Sequence, residues 1–165
     1  MNTLTQKAEV VYGWFLKVVT PLQSIFLLLI RVFWGWQFLQ SGLGKFSHIE
    51  KVISFFTDLG IPAPTFNAYF NASLETVGGI LLILGLASRL IAVPLTINMI
   101  VAYITADREA WTAFFSEPGK FFAADPFPFL MVSLLILLFG PGKIALDTLA
   151  AAWWKKQART SADIP

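Results

Sequence analysis

The sequence predicts an all-α membrane protein: a bundle of four transmembrane helices, with an amphipathic surface helix at the N-terminus and a short amphipathic helix in the first outer loop. Three observations carry this prediction. Of the 165 residues, 56% are hydrophobic and 13% charged, and the mean hydropathy is +0.69, too apolar for a soluble domain of this size. The apolar residues gather into four stretches, three of which reach the roughly 17–25 residues that cross a hydrocarbon core of about 30 Å. Polar connections separate them, and the tightest, Ala87-Ser88-Arg89, makes the second and third helices antiparallel neighbours.

Residues 1–20 are assigned to an interfacial helix, because Ala8, Val11, Trp14, Phe15 and Val18 recur at helical spacing against Lys7, Glu9 and Lys17. Residues 21–150 form the transmembrane domain. Its first span covers about 22–41, and Pro21 suits a first turn, where its missing N–H is not needed. Between Phe46 and Leu59, Ile49, Val52, Ile53 and Phe56 share one face and Glu50, Lys51, Ser54 and Asp58 the other. Gly60 suits a left-handed cap, and Pro62 and Pro64 prevent continuation. The second span covers about 66–86, and the tight Ala87-Ser88-Arg89 connection turns it into a third at about 90–106. A polar segment with interspersed aromatic residues, Asp107 to Asp125, precedes a fourth span at about 126–140. Pro126 marks its start, and Pro141-Gly142 a kink beyond it. Residues 151–165 are read as a cytoplasmic tail, anchored by Trp153-Trp154 beside Lys155-Lys156 and frayed from Ala158 onward.

Orientation follows from the basic residues. Both ends and the Arg89 turn hold seven of the twelve Lys and Arg, the opposite side holds Lys45, Lys51, Arg108 and Lys120, and Arg31 lies within the membrane. The positive-inside rule puts both termini in the cytoplasm, in a bacterial-type inner membrane.

Composition excludes several chemistries. There is no cysteine, so thiolate, disulfide and Cys-ligated iron–sulfur chemistry are absent from this chain. With His48 the single histidine, placed on the polar side of the surface helix, no metal-ligand set is expected. A net charge of +2 without a basic stripe gives no nucleic-acid footprint. No self-contained catalytic constellation is visible.

Ionisable groups inside a span are costly and face a bundle interior or a cavity. Arg31 and Glu75 are the two here, each about ten residues into its span, with Asn98 expected at the same depth. Arg31, Gly35, Phe38, Gly42 and Lys45 line one face of the first span; Asn67, Asn71, Glu75, Gly78, Leu82, Gly85 and Arg89 make a similar stripe on the second. Gly35, Gly42, Gly78, Gly79 and Gly85 are expected to let the helices approach closely, and an Arg31–Glu75 ion pair is the expected consequence. Two readings stay open: a lock that holds the bundle in register, or the polar floor of an outward-opening cavity lined by Arg31, Gln37, Gln40, Asn71 and Glu75.

The ordered set Arg31-x-x-x-Gly35-x-x-Phe38-x-x-x-Gly42-x-x-Lys45, Gly60-Ile61-Pro62-x-Pro64, Glu75-x-x-Gly78-Gly79 and Leu84-Gly85-Leu86-x-x-Arg89 resembles the DoxX-like small integral membrane proteins, over about residues 22–147. The resemblance implies a four-helix membrane fold and an association with redox biology, since the family takes its name from a subunit of a membrane thiosulfate:quinone oxidoreductase. Other members are linked to oxidative-stress complexes or to assembly of membrane proteins. The expectation is an accessory or quinone-side subunit of a membrane oxidoreductase complex, with a quinone as its bound ligand and no cofactor held by the chain's own chemistry. Its partners are then the lipid bilayer, other membrane proteins or a redox complex, and a second copy of itself. The alternatives are an assembly factor for other membrane proteins, or a transporter of small solutes or lipids.

Overall fold

A computed structural model describes residues 3–162. Side chains of residues 1–8, 10, 156 and 158–165 lie outside the description, and with them the expected surface roles of Lys7, Ala8 and Lys156. Among the described residues there are eight helices and no strand: α1 (Thr3–Ser47), α2 (Ile49–Asp58), α3 (Pro64–Leu84), α4 (Ser88–Thr105), α5 (Arg108–Thr112), α6 (Pro118–Ala123), α7 (Pro126–Phe139) and α8 (Leu146–Ala162). The long helices α1, α3, α4 and α7 pack in that order around a shared core, α1 most extensively on α3 and α4 on α7, and α7 closes back onto α1. Phe38, Leu82, Leu95, Tyr103 and Ile136 fill the centre.

Three expected boundaries differ, one of them at the end of the first span: α1 runs past 41 to Ser47, so that Phe46 belongs to it and α2 begins at Ile49. The surface helix and first span are one continuous helix, with Pro21 in its interior. Proline removes the bond that its N–H would give to the carbonyl four residues back, here that of Lys17, and the helix continues past it. The tail expected to fray from Ala158 is helical through Ala162, leaving 163–165 outside the description.

By length and composition, Val11–Ser47 within α1 and Ser88–Thr105 are long and apolar enough to cross a membrane. Over 37 residues the α1 stretch is about 55 Å long at 1.5 Å per residue. α3 has the length, at 21 residues, but carries Asn67, Asn71 and Glu75; α7 is apolar but has 14 residues, about 21 Å.

Glycines set the register of α1 on α3. A Cβ on Gly79 would lie 2.5 Å from both the Gly35 carbonyl oxygen and the Leu39 nitrogen, and one on Gly42 would meet Thr76 Oγ1 and, at 2.6 Å, its nitrogen. Gly78 faces α4 instead, against the Leu95 side chain. Gly85 has a different task from helix packing: it caps α3 at φ +68°, and a Cβ there would strike the Arg31 guanidinium.

Candidate functional site

The antiparallel register brings Ser41 opposite Glu75 and leaves Arg31 beside Gly85, ten residues or about 15 Å along the helix. The expected Arg31–Glu75 ion pair is therefore not formed. Counting from the ends of each apolar run gives the two charges equal depth, but the glycine contacts fix the register and place them at different levels.

Each charge has its own partners. Arg31, 2% exposed, donates from one terminal nitrogen to the Pro141 carbonyl at 2.7 Å and from the other to the Ile144 carbonyl at 2.8 Å. It ties α1 to the segment between α7 and α8. Glu75, also 2% exposed, pairs with Lys45 at 2.5 Å. Ser41 Oγ donates to its other oxygen at 2.8 Å, and Asn98 Nδ2 donates to the Lys45-bound oxygen at 3.2 Å. Lys45 also donates to Asn71 Oδ1 at 2.6 Å, and Asn71 Nδ2 to Asn98 Oδ1 at 2.6 Å. These contacts close a ring from Lys45 through Asn71 and Asn98 to Glu75 and back.

The ring lies in the lining of a cavity of about 560 Å³ between α2, α3, α4 and the start of α7. Its walls are apolar: Phe55 and Phe56 from α2, Phe70 and Leu74 from α3, Ile97 from α4 and Phe129 from α7. α2 supplies its apolar face because its pattern has one, and Asp125 stands at the α7 end. An ammonium has three donors, and Lys45, a lining residue of the cavity, commits two of them to Asn71 and Glu75.

Of the expected cluster, the structure brings together Glu75, Asn71 and Asn98. Gln40 is exposed, Gln37 is half-buried, and neither lines the cavity. Sequence reasoning missed Ser41 and gave Lys45 to the aqueous side. The available signal was the i, i+4 pair Ser41 and Lys45 on the glycine-bearing face of α1. His48 is exposed, with Nδ1 3.2 Å from the Gly44 carbonyl. Among the described residues, no cluster of acidic residues and histidine has the makings of a metal site.

Beyond the spans, Asp107 titrates above the ordinary carboxylate range because it is partly buried and because Asp125 lies near. Glu109 is held below that range by its hydrogen bond from Lys120, at 2.7 Å.

The DoxX family model matches residues 26–108. A Bacillus subtilis (strain 168) protein named "Putative oxidoreductase CatD" is 36% identical over 120 residues, covering 73% of this chain and 83% of that protein. A Mycobacterium tuberculosis protein named "Uncharacterized membrane protein Rv3486" is 34% identical over 130 residues, covering 72% and 77%. A Haemophilus influenzae relative is 30% identical over 132 residues. No solved structure matches the chain.

Proposed function

The chain belongs to the DoxX family of membrane proteins, and we propose that it spans the bilayer four times and holds a quinone-like ligand in the Lys45–Glu75 cavity as an accessory subunit of a membrane oxidoreductase. The spans are the inner part of α1, then α3, α4 and α7, with both termini cytoplasmic. Four spans agree with the polar groups of α3 and α7 turning inward or onto backbone, as Glu75 does to Lys45 and Ser133 to the Phe129 carbonyl.

The observation that carries the ligand reading is a large, mainly apolar cavity with a hydrogen-bonded Lys45–Glu75 patch on one wall and Asp125 at the α7 end, the usual form of a small-molecule site. A bound quinone supplies reversible transfer of two electrons and two protons. The chain's own part is to position and shield it. Lys45 offers its remaining N–H to a carbonyl oxygen, Glu75 holds that ammonium in place through the ion pair, and the α2 phenylalanines cover an aromatic head group. The name of the Bacillus relative points the same way.

Purification of the full chain in lipid, followed by mass spectrometry of bound lipids and titration with a short-chain quinone, tests this. Lys45→Met, which loses a charged hydrogen bond, is expected to weaken binding by roughly tenfold or more while keeping its helical circular dichroism. A folded wild-type chain that neither carries nor binds quinone overturns the reading. The assembly-factor alternative loses its main support, because the glycine contacts it would offer to other helices at Gly35, Gly42 and Gly79 are used between α1 and α3.

A further inference from the structure

At the opposite end of the bundle, where α3 turns into α4 and α7 into α8, a second cavity of about 580 Å³ is lined by Gln23, Ser24, Arg89, Lys143 and Asp147 among polar residues. Its charge is unbalanced. The Asp147 carboxylate is committed to the start of α4, accepting from the Ala87 and Ser88 N–H groups at 2.7 and 2.9 Å. Arg89 gives one nitrogen to the Leu138 carbonyl at 3.2 Å and keeps most of its five N–H groups. Lys143 is exposed. Behind the same loop the buried Arg31 adds a further positive charge, held by the Pro141 and Ile144 carbonyls.

The apolar part of the lining includes Leu90 and Phe139, which are 76% and 59% exposed. A cationic pocket with exposed apolar side chains beside it matches an anionic head group joined to acyl chains. We propose that this cavity binds the head group of an anionic phospholipid, its phosphate between Arg89 and Lys143 and its chains along Leu90 and Phe139. Gln23 and Ser24 add neutral hydrogen-bond donors. A zwitterionic lipid gains less, because the one carboxylate that could meet its cation is already held by backbone N–H groups.

The full chain in detergent, titrated with dioleoyl phosphatidylglycerol or dioleoyl phosphatidylcholine and read by native mass spectrometry, tests the proposal. Phosphatidylglycerol is expected to bind roughly tenfold more tightly, with a loss of roughly fivefold for each cation removed in Lys143→Gln and in the Arg89→Gln/Lys143→Gln double variant. Lys155→Gln is expected to leave binding unchanged. Because Arg89 also anchors Leu138, the Lys143→Gln variant alone decides if the double variant does not fold. Equal binding of the two lipids, or no effect of Lys143→Gln, overturns the proposal. Displacement of the lipid by inorganic phosphate at comparable concentration also overturns it, since that outcome marks a free-anion site.

Discussion

Glu75 is a carboxylate almost sealed from solvent, yet each of its oxygens has a donor. Removing a single partner from such a pair leaves an uncompensated charge, which costs more than deleting the pair whole. A double-mutant cycle between Lys45 and Glu75 is therefore expected to show coupling of about 1–3 kcal/mol, whereas losses from Arg31→Leu and Glu75→Leu should add to within about 0.5 kcal/mol, since the two lie about 15 Å apart. Arg31→Leu by itself is expected to cost about 2 kcal/mol or more, because the Pro141 and Ile144 carbonyls lose their donors. Thermal or denaturant unfolding in detergent measures all of these. Coupling between Arg31 and Glu75 as strong as that between Lys45 and Glu75 would place the register elsewhere.

At the scale of elements, α1 and α3 are held by the absence of side chains. Gly79→Ala is expected to destabilise by about 1–3 kcal/mol or more, because the added methyl meets α1 backbone, which cannot move aside cheaply. Gly44→Ala, on α1 with nothing within 4 Å, should stabilise by about 0.5–1 kcal/mol. Similar unfolding temperatures for the two variants would contradict the close approach. The α4–α5 corner titrates. Asp107 has a raised folded pKa, so its ionisation opposes the fold: the penalty is absent below the unfolded value of 3.8 and grows as pH rises through the raised folded value. Asp107→Asn is expected to be more stable than wild type at neutral pH, with the difference vanishing in acid. A stability difference independent of pH would assign the effect to something other than charge.

For the whole molecule, the helical character and the places of α3, α4 and α7 were legible to within two residues, because the apolar runs, Pro126 and the Ala87-Ser88-Arg89 turn are local signals, whereas the capping role of Gly85 was not read from its place in a glycine stripe. The continuity of α1 through Pro21 was not, since a proline, as a local signal, suits a first turn. The site was half legible. Asn71, Glu75 and Asn98 were visible as polar residues in apolar runs, but their partner is set by which glycine meets which backbone, a property of two helices together. Four crossings require residues 107–125 and both termini on opposite sides. Reporter fusions at Gly119 and after Asp163 should give opposite topologies, since only α7 lies between them among the proposed spans, and matching signals would mean that α7 does not cross and would rule out the four-span reading.

The ring around Glu75 has a direction. Lys45 can only give, so Asn71 must turn its oxygen toward Lys45 and its amide nitrogen toward Asn98, which in turn must offer its own nitrogen to Glu75. The orientation of every member is thus dictated by one cation at one end and one anion at the other, like a sentence with a fixed word order. Asn71→Asp, nearly identical in size, reverses one word: Asn98 must then face two acceptors with a single amide group, and the circuit breaks there. The variant should lose stability and cavity binding together, while Asn71→Ala, which deletes the word without contradicting its neighbours, should lose less, as unfolding and quinone titration of the two would read.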